Sequence, residues 1–168
     1  MTEFIYLRKK CPTKYPIGEY YSNSNFAFIR EAALQINKTF PKGKLILVVR
    51  GHSGSILAGG IAYILTKKHR EALISISRKY SEPTHGSNLE GITPTLSDST
   101  HIIVVDDFIE MGDTIQTIID ELSERVDNRR VFDMLCVGNF WDKNRVYRGR
   151  LLNILTRFEY ILCNKYEE

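Results

Sequence analysis

Apolar and polar positions along this chain follow two rhythms. Phe26, Ile29, Ala33, Ile36 and Phe40 recur at steps of three and four, which predicts an amphipathic helix over about 25–39. Pro41 and Gly43 stop it. LILVV at 45–49 is then continuously apolar and β-prone between glycines, as a strand buried on both faces would be. RGHSG at 50–54 turns into a second helix carrying Ile56, Leu57, Ile61 and Leu65. Its small residues, Ala58, Gly59, Gly60 and Ala62, would let it approach a sheet closely. Further strands are predicted at 4–7, 72–77, 102–106, 131–137 and 158–163, and a helix at 114–126. Strand–helix alternation of this kind predicts an α/β fold: a three-layer sandwich around a central parallel sheet, with right-handed crossovers.

The densest chemistry lies in HIIVVDDFIEMGDTIQTI, residues 101–118. An apolar run ends in two adjacent acids, Asp106 and Asp107. A short turn through Gly112 leads to an apolar stripe at helical spacing, Ile115, Ile118, Ile119, Leu122 and Val126. Paired carboxylates thus stand at the C-terminal edge of a buried strand, where open α/β sheets bind ligands. The following helix start presents unpaired N–H groups and a positive dipole end, a seat for phosphate. Residues 79–99 show no clear period and are rich in Ser, Thr, Gly and Pro. A loop of that length is either a lid or binding loop, or a disordered insertion.

At 168 residues, without repeat, low-complexity tract or composition break, the chain reads as one domain, 1–168. Its 43% hydrophobic and 26% charged residues are ordinary for a globular protein and argue against a disordered chain. A net charge of +3 gives no reason to invoke a polyanion partner. Cys11, Cys136 and Cys163 form neither a disulfide framework nor a zinc motif, so reduced thiols and a cytoplasmic location are expected. MTEFIYLRKK lacks the apolar stretch of a signal peptide, and no segment is apolar for long enough to span a bilayer.

The 103–114 segment, IVVDDFIEMGDT, resembles the signature of the type I phosphoribosyltransferases: buried strand, acid pair, two residues, then a phosphate loop ending in Gly-x-Thr. The acid at Glu110 makes it most similar to the 6-oxopurine (hypoxanthine-guanine) branch. LVVRGHSG resembles that branch's pyrophosphate loop, and about 79–100 lies where the family has its catalytic lid. The resemblance covers roughly residues 25–140 in order and implies a small hood built from about 1–23 and 139–168.

That resemblance implies transfer of a phosphoribosyl group between phosphoribosyl pyrophosphate and a nitrogenous base of purine type. Magnesium would be carried by the donor, near Asp106 and Asp107. Those two carboxylates are acceptors matched to the ribose 2′- and 3′-hydroxyls. The amides of Glu110, Met111, Gly112, Asp113 and Thr114, with the Thr114 hydroxyl, would hold the 5′-phosphate. Arg50 and Gly51 would face the pyrophosphate, Gly51 through its backbone and Arg50 through its side chain. Glu110 is either the general base near the purine N7 or a solvated loop acid. His52 reads as a loop residue, and Ser53 as either a phosphate donor or a helix cap. Phe140 or Trp141 would stack the base, with Lys143 a candidate for recognising it; the alternative is a solvated basic edge, 139–150. Basic residues interleaved with aromatics there also suit single-stranded nucleic acid, but twelve residues are thin support. A homodimer is expected by fold analogy.

Two departures keep a second reading open. Met111 stands where the family has a hydroxyl residue, removing a hydrogen bond to a charged group worth roughly 1.5–3 kcal/mol. Asp113 brings a negative charge beside the proposed dianion unless it caps its own helix, with Gln116 completing a capping box. Both features favour a non-catalytic module that binds the donor or a nucleotide monophosphate.

Overall fold

A computed structural model describes residues 4–7, 23–78, 89–91, 100–106, 113–125, 132–136 and 158–163. Along the chain these form β1 (Phe4–Leu7), α1 (Asn23–Thr39), β2 (Lys44–Arg50), α2 (Gly51–Lys67), β3 (Ala72–Ser77), β4 (Leu89–Glu90), β5 (Thr100–Asp106), α3 (Asp113–Arg125), β6 (Phe132–Cys136) and β7 (Phe158–Cys163). One seven-stranded sheet takes the order β1-β7-β6-β5-β2-β3-β4. Every pairing is parallel except that of β4, which runs antiparallel to β3 at one edge. The sheet is therefore mixed, with the predicted parallel centre intact. β1 and β7, from the two segments expected to build a hood, pair with each other in this sheet. The rest of those segments lies outside the described residues.

Pleating divides the central strands between two layers. Leu45, Leu47 and Val49 of β2, with Ile103 and Val105 of β5, meet α1 and α2 in one fully buried cluster. α1 contributes Ile29, Ala32, Ala33, Ile36 and Phe40 to it, and α2 contributes Leu57, Ala58, Ile61, Ala62 and Leu65. Full burial of one such Leu or Ile side chain contributes about 1.5–3 kcal/mol. The alternate positions, Ile46, Val48, Ile102 and Val104, are equally buried on the face covered by α3, which supplies Ile118 and Leu122.

Local chemistry sets the ends of α2. It begins at Gly51 without any side-chain cap, and it ends in a paired turn. There His69, at φ 58°, donates its N–H to Thr66 O, and Arg70 N–H reaches Leu65 O. The Arg70 guanidinium then donates to Gly43 O at 2.9 Å, tying this turn to the start of β2. Among the described residues no helix is long and apolar enough to cross a membrane.

Candidate functional site

β2 leads through α2 to β3 on one side, while β5 leads through α3 to β6 on the other. The chain therefore reverses its direction of travel across the sheet between β2 and β5. Crevices at such a reversal, beyond the carboxyl ends of the strands, are the ligand sites of open α/β sheets. Arg50 ends β2 and Asp106 ends β5. The β2–β5 register runs from Lys44 opposite Thr100 to Val48 opposite Val104, and two residues further on it sets Arg50 level with Asp106. Arg50 also pairs with Ser77 of β3, and Asp106 with Cys136 of β6. One row across four strands thus reads Ser77, Arg50, Asp106, Cys136 along the edge of the sheet.

On the α3 face Ser77, Arg50 and Asp106 make this row polar. Asp106 is buried, with 8% of its surface exposed, at a position where packing alone would select another Val or Ile. Arg50 Nη1 donates to Ser77 Oγ at 2.7 Å and to Glu121 Oε1 at 3.1 Å. Only 11% and 9% of the Arg50 and Glu121 side chains are exposed, so this is a buried ion pair joining β2 to α3. The Arg50 side chain, expected to face the pyrophosphate, is thus engaged inside the fold.

The β2–α2 turn presents backbone instead. Gly51 has φ +79°, which a side chain would strain, and none of the described residues lies within 4 Å of where its Cβ would be. Arg50 is the N-cap in extended conformation, with no side-chain hydrogen bond to the helix start. Ser53, weighed as a cap, is instead a residue of the first turn, and His52 beside it is exposed. Ser55 Oγ donates back to Gly51 O at 2.7 Å. No acid occupies this turn and no side-chain cap holds it among the described residues, so its amides and dipole favour an anion.

The β5–α3 turn enters the described structure at Asp113, the first residue of α3. Asp113 is an exposed residue of the first turn, and Thr117 Oγ1 donates to its carbonyl at 2.9 Å. Thr114 follows, half-buried. Asp107, Glu110, Met111, Gly112, Phe140, Trp141 and Lys143 lie outside the described residues. No group of three or more His, Cys, Asp and Glu placed to hold a metal ion occurs among the described residues.

No family model matches the sequence, and no curated protein matches it either. Solved structures do. Hypoxanthine-guanine phosphoribosyltransferase of L. donovani superposes with a TM-score of 0.55 at 12% identity, over 84% of this chain and 79% of that one. Adenine phosphoribosyltransferase of Saccharomyces cerevisiae, complexed with an imino-altritol bisphosphate and adenine, gives 0.54 at 12% identity over 86% and 80%. The Leishmania tarentolae hypoxanthine-guanine enzyme, in complex with GMP, gives 0.51 at 13% over 84% and 78%. The chain has the type I phosphoribosyltransferase fold.

Within this phosphoribosyltransferase fold, three residues of the site region escaped the sequence reading. Glu121 looks like an ordinary helix acid, yet it follows Ile118 by three positions and adjoins Leu122, which places it on the buried stripe. Ser77 shares a pleat with Ser75, and both are fully buried, a pattern visible in the alternation of ALISIS. Gly54 adds a close approach to that of the buried Ala58, Gly60 and Ala62. A Cβ there would lie 3.2 Å from Val105 O and 3.4 Å from Val49 Cβ, so this glycine lets α2 sit directly on β2 and β5 below the site.

Proposed function

We propose that this protein moves a phosphoribosyl group between a pyrophosphate-bearing donor and a nitrogenous base of purine type. The observation that carries the reading is the juxtaposition, at the strand-order reversal, of a buried carboxylate on β5 with an uncapped, acid-free helix start on β2. Asp106, with Asp107 beside it in sequence, would accept hydrogen bonds from the ribose hydroxyls. The segment from Glu110 to Thr114 would hold the 5′-phosphate at the start of α3, and the turn at Arg50 and Gly51 the pyrophosphate. Glu110 would act as general base toward the purine, which Phe140 or Trp141 would stack. Catalysis of this kind is mostly positioning and stabilisation of charge in an oxocarbenium-like transition state. The purine ligands of the superposed enzymes, GMP and adenine, support a purine-type acceptor.

Magnesium fits this arrangement as a companion of the donor. It keeps several waters and is held by one or two carboxylates together with substrate phosphates, so the Asp106–Asp107 pair would suffice on the protein side. When bound, it would offset charge on the leaving pyrophosphate.

Isothermal titration with phosphoribosyl pyrophosphate and magnesium tests the reading. Wild type should bind; Asp106→Asn and Asp107→Asn should each lose roughly 10- to 100-fold in affinity, the worth of hydrogen bonds to a charged group. Failure of wild type to bind either the donor or a purine nucleotide monophosphate would refute it. A specific observation keeps the regulatory reading in play: Asp113 occupies the first turn of α3, where a phosphate would meet its charge. Tight donor binding, with no turnover on any purine base and no change in Glu110→Gln, would establish that second reading.

A further inference from the structure

Arg50 is the last residue of β2 and the N-cap of α2, so its backbone belongs to the turn at Gly51. A capping side chain turns back onto its own helix. The Arg50 guanidinium instead reaches the opposite face of the sheet, to Ser77 on β3 and Glu121 on α3. Glu121 stands about 12 Å along α3 from Asp113, at roughly 1.5 Å per residue. One buried ion pair therefore links the two helices whose N-termini flank the reversal.

Stability gives no reason for this pair. Well-packed apolar residues of similar volume commonly hold such a space as well or better. Glu121 is also half satisfied, because its buried Oε2 has no hydrogen-bond partner among the described residues. What the pair accomplishes is geometric: it ties the β2–α2 turn to the helix that carries Thr114. α2 and α3 lie on opposite faces of the sheet, so their direct packing does not set the distance between their first turns.

We propose that Glu121 is a positioning residue that fixes the separation between the first turns of α2 and α3, with the Arg50 side chain as a tie and not a ligand. The inference rests on the reading of those turns as the pyrophosphate and 5′-phosphate seats. A donor that spans both seats senses their separation, whereas an anion filling one of them does not.

Titration calorimetry on the full chain separates these cases with three probes: phosphoribosyl pyrophosphate with magnesium, pyrophosphate with magnesium, and ribose 5-phosphate. The variants are Glu121→Gln and the double substitution Arg50→Met/Glu121→Leu, which removes both charges and strands neither. Affinity for the spanning donor should fall on the order of tenfold in both, while the two partial ligands stay within about twofold, because only simultaneous engagement depends on spacing. A loss for pyrophosphate alone equal to that for the donor would make Arg50 a direct ligand and overturn the inference. Unchanged donor affinity in the double variant would overturn it as well. Wild type that binds none of the three would remove the underlying reading, a result distinguishable from the other two.

Discussion

The two faces of β2 and β5 are built from the same strands to different ends. Toward α1 and α2, the positions Leu45, Leu47, Val49, Ile103 and Val105 are apolar throughout and completely buried. Toward α3, the alternate positions begin the same way, with Ile46, Val48, Ile102 and Val104, and then change character at the carboxyl edge to Arg50 and Asp106. Serines 75 and 77 continue the polar region onto β3. A strand buried on both faces gains most from apolar residues along its whole length. The α3 face gives up that gain over its last row, where the chain reverses across the sheet. One face holds the fold, and the other holds it only up to the site.

Substitutions chosen by face test that division. Leu47→Ala, on the α1–α2 face, should cost the most, about 2–5 kcal/mol of unfolding free energy from lost burial and the cavity left behind. Chemical denaturation measures it, and a cost near zero would break the contrast. Ser77→Ala, on the α3 face, should cost less, about 1.5–3 kcal/mol for one hydrogen bond to the charged Arg50. Its larger effect should fall on donor affinity, so that stability and binding respond in opposite proportion to Leu47→Ala. Lys44→Ala lies at the other end of β2 and removes a 3.0 Å ion pair with Glu71 whose partners are 37% and 62% exposed. Solvent screening limits that change to about 0.5 kcal/mol, and binding should not move at all.

The same division explains what the sequence made legible. Continuous apolar runs announced β2 and β5, and a clean three-and-four stripe announced α1, because nothing in those segments competes with packing. β4 escaped notice since two residues, Leu89 and Glu90, carry no period; its place depends on tertiary partners. Arg78 grips the Glu90 carboxylate through two contacts, at 2.8 and 3.1 Å, and Ser75 Oγ donates to the Glu90 carbonyl. Asp106 was legible as a candidate site residue because an acid after four aliphatics has no packing rationale, and it lies buried at the end of β5. Glu121 was not, because its neighbours Asp120 and Ser123 make the stretch look like a solvated helix face. The Arg50 side chain was placed on the basis of its neighbours in sequence, whereas its position follows from a residue 71 places away.

β4 also has a protective consequence. An uncovered outer strand invites a second molecule to add its own backbone and extend the sheet. Along β3, Ile76 and Ser77 are already paired by Glu90 and Leu89. Gly91, at φ +85°, then passes so close that a Cβ would sit 2.9 Å from Ile74 O. Two paired residues and a glycine thus shield the carboxyl half of this border against aggregation, beside half-exposed Leu73 and Ile76.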